Sequence, residues 1–578
     1  MRNITYYILV ILFLFSRTDN YAAADTFSLK AKTTSIISCQ EPPYRSISDL
    51  KTRPQRLKSA QTDQIVDVLG YYAPGDGGGG RFYWDPKNNQ NGDGALTIEV
   101  EGLKSGRWVR IIEHDDLNVK WFGARGDDKS DDSEAFNKAV DYAFNNWEGG
   151  TVIVPSGKYL VNVQLKRGVT LKGKSPQTTW LKPFADEPVI NWNTNSTDQR
   201  HNYDAVVENL RIGNAPKDFV KSRGINIVAD KDQLYIDRPI IKNCVIEHNA
   251  AEAVYVEAND FVGQMNFVQN LHIENSQIQY NKKGGLYLSG LVIETTIRNS
   301  SIIKNGLADV NKYDNFYVGT SASGKEPMRL RVFGGIINND GKPIGNSVHL
   351  RHASSISFYN VNFENGKVLI EGSRSKNIEF DGGNFGAREP YDSFFDIHDA
   401  NGLSVRNVKF DISGPVKFKT VFNFDRIYAN YNNIDIANNT YPSADKFEKG
   451  KSYITYTVGR NFKVKNGVIP FINTYIEVFN NDEPVLSSIN NYKGESESGI
   501  EDNAMLTISG RPGYKAITVK HGVGNIHLLT EEDRVISSNE SMTLMYIPKK
   551  GWFEMPVNLP DNLKNRGRSN AGIGRDTN

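Results

Sequence analysis

Residues 245–288 read VIEHNAAEAVYVEANDFVGQMNFVQNLHIENSQIQYNKKGGLYL and contain the same sequence pattern twice. In each copy an apolar strand ends in an asparagine, a short polar loop follows, and a second apolar strand begins. The asparagines that end the first strand of such a unit are Asn249, Asn281, Asn305, Asn339 and Asn365. Their spacings of 32, 24, 34 and 26 residues are the length of one coil, and repetition of this kind is typical of a solenoid.

Stacked coils would bring these five amides into one ladder. Because an amide carries both donors and an acceptor, each rung can bond to the next one. We therefore interpret the asparagines as structural rather than catalytic, and the repeats predict a parallel β-helix.

The strand after each asparagine alternates with a period of two, with apolar residues on either side of a variable central position. Such alternation turns the apolar residues inward and the central residue outward. Stacking at about 4.8 Å per coil then aligns the central residues in an outward column. This column is Tyr255, Tyr287, Tyr317, His349, Leu369, Asp396 and Asn423. A second outward column beside it is Glu257, Ser289, Gly319, Arg351, Glu371, His398 and Asp425.

This outward face is unusual for a merely solvated one, since it gathers tyrosines, histidines, an arginine and carboxylates. Aromatic faces flanked by polar groups suit a sugar chain, whose rings present C–H patches and hydroxyl groups. The alternative is that tyrosines simply favour strands and stack like on like. The predicted substrate-binding residues are Tyr255, Tyr287, Glu257, Lys312 and His398.

Loop lengths locate the centre of this face. The two long loops, residues 306–315 and 340–347, come directly before the strands of Tyr317 and His349. Function tends to lie on loops that a rigid scaffold positions. The predicted catalytic residues are therefore His349, Tyr317, Arg351, Glu371 and Asp396.

The leading chemistry for these residues is that of a polysaccharide lyase. A lyase removes the proton beside a uronate carboxyl, which needs a base and a cation that stabilises the enolate. His349 or Tyr317 can serve as the base and Arg351 as the cation, with Lys304 and Lys312 assisting.

The first alternative is an inverting glycoside hydrolase, which needs two carboxylates. Glu371 and Asp396 occupy diagonal positions on adjacent coils, about 7–8 Å apart by strand geometry, a separation that suits inversion. Asp314 and Glu257 are reserve carboxylates. The second alternative is a non-catalytic surface protein that only binds carbohydrate, because the fold does not fix the function.

Before the repeats, the chain contains the segments Trp121-Phe122-Gly123-Ala124-Arg125-Gly126-Asp127, Asp131-Asp132-Ser133 and Gly150-Thr151-Val152-Ile153-Val154-Pro155. They resemble the start of the pectate-lyase-superfamily β-helix. Residues 70–80 with Phe82-Tyr83-Trp84-Asp85 are similar to the leader of phage tailspike depolymerases, and the chain end weakly resembles the β-sandwich of phage tail proteins. The predicted fold class is therefore all-β: a single-stranded right-handed parallel β-helix with a small N-terminal leader and cap and a C-terminal β-sandwich-like domain.

The resemblance also implies details of the cap and the assembly. A helix closes the end of the solenoid in these families, so the acidic run 127–132 is read as structural, and tailspikes imply a homotrimer. Asp131 is predicted to cap that helix with Glu134 as its partner, and Gly149-Gly150 to end it. The coils lack the Gly-His-Gly and Asn-Thr-Asp motifs of pectate lyases and polygalacturonases, so the resemblance does not imply pectin as the substrate.

The remaining segments set the domain limits. Arg2, the apolar run 4–15 and Ala22-Ala23-Ala24 predict a signal peptide and hence a secreted protein, extracellular or periplasmic. The predicted limits are 1–24 signal peptide, 25–118 leader and cap region, 119–440 parallel β-helix, 441–560 C-terminal β domain and 561–578 disordered tail.

Charge and cysteine content exclude some partners. The formal net charge of +1 gives no global field for nucleic acid, and no later segment could span a membrane. Cys244, in an apolar strand, is predicted to be a buried free thiol rather than a disulfide partner of Cys39. No metal-ligand cluster is visible, so no cofactor is predicted, although Ca²⁺ stays open.

Overall fold

A computed structural model describes most of the chain between residues 43 and 555. The described ranges are 43–52, 64–112, 114, 116–192, 201–230, 235–259, 266–309, 312–339, 346–388, 392–414, 417–424, 434–443, 446, 454–456, 462–463, 468–470, 475–479, 485–490, 505–510, 515–537 and 540–555. The predicted signal peptide, Cys39, Asp425 and the predicted tail 561–578 lie outside them. The predicted domain limits stay a prediction.

Three long parallel sheets form the body of the protein. The first sheet consists of Asp116–Asn118, Gly150–Val154, Val169–Gly173, Val206–Glu208, Ile240–Lys242, His272–Glu274, Thr296–Arg298, Met328–Phe333, Ser354–Tyr359, Lys376–Asp381, Asn401–Arg406 and Ile434–Ala437, with side strands His201–Tyr203, Tyr235–Asp237, Phe267–Gln269 and Val292–Ile293. The second sheet consists of Asp127–Asp131, Gly157–Leu160, Thr179–Lys182, Arg211–Gly213, Val245–Glu247, Gln277–Gln279, Ser301–Ile303, Ile336–Asn338, Asn362–Glu364, Asn384–Ala387 and Lys409–Ile412. The third sheet consists of Val163–Gln164, Ile190–Asn191, Ile225–Ala229, Val254–Ala258, Leu286–Gly290, Phe316–Gly319, Val348–Arg351, Val368–Glu371, Phe395–Ile397, Phe422–Phe424 and Ile454–Tyr456.

The chain visits the three sheets in turn, one strand of each per coil, which confirms the predicted parallel β-helix. Inward residues of all three sheets belong to one apolar core that extends from Ala95 to Phe424. In its second half the core is a stack of phenylalanines, for example Phe363 and Phe385 at 4.2 Å between ring centroids. The core thus repeats like residues from coil to coil and fixes the register of the outer face.

Smaller sheets stand at both ends of this body. The N-terminal one is antiparallel and consists of Ile65–Val68, Gly80–Asp85, Thr97–Glu99 and Arg107–Arg110, beside a helix at Ile47–Thr52. The C-terminal strands pair both parallel and antiparallel and are Phe462–Lys463, Val468–Pro470, Tyr475–Phe479, Val485–Leu486, Ser488–Asn490, Met505–Gly510, Ile517–Val519, Ile526–His527, Arg534–Ile536, Ser541–Ile547 and Gly551–Glu554. These strands have a separate core around Trp552.

A helix at Ser133–Trp147, after a 3₁₀ turn at Val119–Phe122, packs on the first coil. The helix buries one apolar face against that coil, with Phe136 and Val140 fully buried. The predicted capping pair is wrong, because Asp131 accepts only from the backbone N–H of Ser133 at 2.9 Å. Glu134 instead pairs with Lys138 at 2.6 Å. The helix ends at Trp147, before the glycines.

The predicted asparagine ladder is confirmed for its first three rungs. Asn249 donates from Nδ2 to Oδ1 of Asn281 at 2.8 Å, and Asn281 donates to Oδ1 of Asn305 at 2.7 Å. The next rung was predicted to be Asn339 and is Asn315, whose Oδ1 accepts from Asn305 Nδ2 at 2.6 Å. The long loop 306–315 returns to the column just before its strand and inserts this extra amide.

A second set of asparagines makes the turn from the first sheet to the second. These residues have a left-handed backbone, which asparagine tolerates better than other side chains. They are Asn209, Asn243, Asn275, Asn299, Asn360, Asn407 and Asn438, with φ between 47° and 58°. Cys244 follows one of them, is free and buried as predicted, and burial raises the pKa of its thiol to about 12.

Candidate active site

The third sheet carries the outer face on which the predicted site residues lie. Its registers place Tyr255, Tyr287, Tyr317, His349, Leu369, Asp396 and Asn423 in one column. The second column runs from Glu257 through Ser289, Gly319 and Arg351 to Glu371. His398 comes directly after the strand Phe395–Ile397. The first predicted column is thereby confirmed, and the second is confirmed from Glu257 to Glu371, since Asp425 lies outside the described residues and His398 follows the end of its strand. The chemical roles of the column residues stay predictions.

His349 lies at the centre of this face, between two carboxylates. Its Nδ1 is 2.7 Å from Oδ2 of Asp314, and its Nε2 is 3.3 Å from Oε1 of Glu371. Burial alone would lower the pKa of His349, but the two carboxylates outweigh it and raise the pKa to about 9. His349 is therefore an imidazolium at neutral pH and not the free base that the sequence suggested.

Three basic side chains surround the carboxylate of Glu371. Besides His349, Arg351 Nε lies 3.5 Å from its Oε1 and His398 Nδ1 lies 3.8 Å from its Oε2. His349 and His398 hold the pKa of Glu371 well below its usual range, despite partial burial. The side chain of Arg351 is 52% exposed, against 20% for Glu371, so Arg351 is the cation that a ligand can reach.

Asp396 forms a separate cluster one coil further on. It binds Lys367 Nζ at 2.6 Å, Asn423 Nδ2 at 2.7 Å and Ser393 Oγ at 3.2 Å. Burial would raise the pKa of Asp396, but Lys367 and Asn423 outweigh it and lower the pKa. Both carboxylates predicted for hydrolysis are thus ionised.

The position of the Tyr317 side chain requires a glycine at residue 319. A Cβ on Gly319 would meet the Tyr317 hydroxyl at 2.2 Å, so the phenol occupies the space that a side chain would fill. Burial raises the pKa of Tyr317 to about 12, and Arg351 limits the rise. Tyr317, His349 and Arg351 therefore form one group on two adjacent coils.

The tyrosine column is a closed stack. The rings of Tyr255, Tyr287 and Tyr317 lie face to face, with centroids 4.7 Å apart at each step. The Arg223 guanidinium covers Tyr255 at 3.5 Å, and His349 meets Tyr317 edge-on at 5.1 Å. The expectation that these rings turn their faces to a sugar is wrong, because one coil rise leaves no gap between them. Only ring edges and hydroxyl groups remain for substrate.

The other predicted binding residues lie apart from His349. Glu257 accepts a hydrogen bond from the hydroxyl of Tyr255 at 2.8 Å, two coils before Tyr317. Lys312 is exposed on the first long loop, with its Nζ 5.3 Å from the ring of Tyr313. The structure thus gathers Tyr317, His349, Arg351, Glu371 and His398, and leaves Glu257 and Lys312 at the margin.

Sequence reasoning missed the residues just before each strand. Asp314 was only a reserve carboxylate, yet it is the partner of His349, and its Oδ1 accepts from Asn346 Nδ2 at 2.8 Å. Lys367, the partner of Asp396, was not considered. A signal existed, since Asp314-Asn315 and Asn346-Ser347 occupy equivalent places two residues before their strands.

Within the described ranges, no group of three or more histidine, cysteine or acidic side chains could hold a metal ion. No helix in the described part of the chain is long and apolar enough to cross a membrane.

Comparison with known proteins identifies two regions. The family described as "Rhamnogalacturonase A/epimerase, pectate lyase-like" matches residues 117–388, and the phage tail protein small four-stranded β-sheet domain matches residues 44–113. A curated relative, alginate lyase 7 of Azotobacter vinelandii, is 51% identical over 47 residues. That match covers 8% of this chain and 5% of the alginate lyase.

Solved structures similar to this chain include two phage tailspikes and an epimerase module. Tailspike gp49 of Acinetobacter baumannii phage Fri1, a capsular polysaccharide depolymerase, has 16% identity and a TM-score of 0.49 over 72% of this chain and 76% of its own. Tailspike protein 2 of Escherichia coli O157:H7 phage CAB120 has 13% identity and a TM-score of 0.46 over 87% and 62%. The A-module of mannuronan C-5 epimerase AlgE4 of Azotobacter vinelandii has 15% identity and a TM-score of 0.34 over 59% and 100%.

The family matches coincide with the two architectures described above, the small antiparallel sheet and the coils that follow it. Residues 44–113 are therefore similar to the phage tail protein small four-stranded β-sheet domain, and residues 117–388 form a parallel β-helix similar to the pectate lyase-like family of rhamnogalacturonase A and epimerases.

Proposed function

We propose that this protein is a polysaccharide lyase that cleaves a uronate-containing chain by β-elimination. The observation that carries the proposal is the group of Tyr317, His349 and Arg351, which combines a phenol, an imidazolium and a guanidinium on adjacent coils. The pectate lyase-like match over residues 117–388 and the short match to an alginate lyase support a polysaccharide substrate.

The roles follow from the charges. The Tyr317 phenolate takes the proton from C5 of the uronate, the electron pair forms the C4–C5 double bond, and the C4–O bond breaks. The new Tyr317 phenol returns a proton to the leaving oxygen, so no water is consumed. His349 and Arg351 stabilise the negative charge that grows on the uronate carboxyl. The sequence offered His349 or Tyr317 as the base. Because His349 is already protonated, we assign this role to Tyr317.

An inverting hydrolase is the less favoured alternative. It needs one carboxylic acid that stays protonated near neutral pH, and such groups have raised pKa values. The pKa values of Glu371 and Asp396 are both lowered, by His349 and by Lys367. A protein that only binds carbohydrate would use the same face without turnover.

One experiment separates the three functions. The protein is incubated with acidic and neutral polysaccharides while absorbance of unsaturated uronates and reducing ends are both recorded. A lyase raises both signals, a hydrolase raises reducing ends alone, and a binding protein raises neither. Loss of activity in Glu371→Gln and Asp396→Asn, with His349→Ala active, would replace the lyase by the hydrolase.

We further propose that the chain is exported with cleavage near Ala24 and assembles as a homotrimer. N-terminal sequencing of exported protein that returns Met1 would refute the first proposal. A monomer in light scattering at micromolar concentration would refute the second. Ca²⁺ stays an open ligand, and titration of calcium into EDTA-treated enzyme tests it.

A further inference from the structure

A groove of about 510 Å³ lies away from the His349 cluster, on the side strands of the first sheet. Its walls include Arg167, Tyr203, Tyr235, Phe267 and Gln269. Nothing in the lyase chemistry proposed above uses these residues.

Each side strand is separated from the first-sheet strand that follows it by a residue with a left-handed backbone. Asp204, Arg238 and Asn270 have left-handed backbones, with φ between 54° and 55°, and set each side strand off from the strand that follows it. Ile236 and Val268 are fully buried, so their neighbours in these strands point outward. Tyr235 is in register with Phe267 as a result.

The aromatic rings of this groove are open in a way that the tyrosine column is not. The Tyr235 and Phe267 rings are 4.2 Å apart but inclined at 40°, and Tyr203 is 40% exposed. The Arg167 guanidinium lies 5.5 Å from the Tyr203 ring and 5.3 Å from the Phe144 ring. An inclined pair beside an exposed ring offers C–H-binding faces to a sugar.

Of the two arginines in the groove, Arg238 is paired with carboxylates and, among the described residues, Arg167 is not. Arg238 is bound by Asp204 at 2.6 Å and by Asp237 at 2.5 Å, and Asn270 also donates to Asp237. Arg167 forms no ion pair with any carboxylate in the described ranges. A guanidinium that stacks on rings and keeps its donors free is suited to a carboxylate ligand.

We propose that this groove is a second saccharide-binding site, which holds an acidic chain through the Arg167 guanidinium and the Tyr203 ring. The inference that this saccharide is acidic rests on the proposed lyase function. Phe267–Gln269 contacts the third-sheet strands Ile225–Ala229 and Val254–Ala258, so the groove adjoins the catalytic face. At roughly 4.8 Å per coil, the coils of Phe267 and Tyr203 lie about 14 and 24 Å before His349 along the axis. A long polymer can reach both sites, whereas a short fragment occupies only one.

The test compares a long polymer with a short one. Variants Arg167→Gln and Tyr203→Ala are made in the full chain, with Tyr83→Ala as the control, since Tyr83 is an exposed ring on the N-terminal sheet. Binding of alginate and polygalacturonate is measured by calorimetry on a His349→Gln background, so that no turnover is needed. We expect each groove variant to raise the Kd for the polymer about tenfold, the effect of roughly 1.4 kcal/mol. With His349 intact, turnover of fragments shorter than about 14 Å should stay unchanged.

Two results would overturn the proposal: an unchanged Kd in folded groove variants, or no binding of either acidic polymer by the parent. Failure of the lyase function alone would appear differently, as polymer binding that depends on Arg167 and Tyr203 without unsaturated product.

Discussion

Asp314 holds His349 from the neighbouring coil, with Oδ2 of the carboxylate 2.7 Å from Nδ1 of the imidazole. The other oxygen of Asp314 accepts from the backbone N–H of Asn346 at 3.0 Å and from its side chain at 2.8 Å. With both oxygens bound, the carboxylate cannot rotate away from the ring. His349 is thereby oriented and kept cationic.

The pH dependence of the reaction should reflect two groups in opposite states. Tyr317, with its pKa near 12, must be deprotonated, and His349, with its pKa near 9, must be protonated. We therefore expect kcat/KM to rise about tenfold per pH unit up to about pH 9 and to level above it. In His349→Gln the residual activity should continue to rise beyond pH 9.

Tyr317→Phe should lower kcat/KM by a factor of roughly 10²–10⁴, because it removes the proposed base. A wild-type pH profile in that variant would exclude Tyr317 as the base.

Asp314→Asn should lower the pKa of His349, because it removes the carboxylate on Nδ1. The measurement is NMR titration of the His349 ring protons, with Asp309→Asn as the control on the same loop. Since the folded pKa of about 9 exceeds the unfolded value, wild-type His349 stabilises the fold fully below about pH 6.5. This stabilisation is lost as the pH rises through 9, and the variant should show a smaller loss. An unshifted titration would mean that Asp314 does not set the charge of His349.

Gly319→Ala should inactivate the enzyme without unfolding it. The new Cβ would meet the Tyr317 hydroxyl at 2.2 Å and displace the phenol from Arg351. Turnover should fall by a factor comparable to that of Tyr317→Phe, roughly 10²–10⁴. Gly386→Ala is the matched control, because its Cβ would come no closer than 3.3 Å, to the Asn384 side chain. Full activity in Gly319→Ala would contradict the role of Tyr317.

The sequence predicted the columns because strand alternation and coil spacing are local properties. Tyr317, His349 and Arg351 could be aligned from the alternation of apolar and outward residues in the strand that follows each asparagine. The partnership of Asp314 with His349 could not, since it depends on how an irregular loop of ten residues returns to its strand. The closed tyrosine stack was missed for a different reason: at one coil rise, rings in register cover each other's faces.

Asn281→Ala should destabilise the fold by about 2–4 kcal/mol, because several buried groups lose their partner at once. Asn281 accepts from Asn249 and donates to Asn305, and it also donates to the carbonyl groups of Ile246 and Gln279. Denaturant unfolding measures the change, with Asn146→Ala on the exposed helix surface as the control. A loss below about 0.5 kcal/mol would show that the ladder adds little.

The helix at Ser133–Trp147 also bears on solubility. It packs on Asp116–Asn118, Gly150–Val154 and Val163–Gln164, strands of the initial coils, two of which end their sheets. Without it, unpaired backbone groups and the apolar interior would face water at the open end of the solenoid, a template for end-to-end polymerisation. The helix therefore covers the strand edges and the apolar interior at the first coil, and its loss should favour end-to-end association of molecules through these exposed edges.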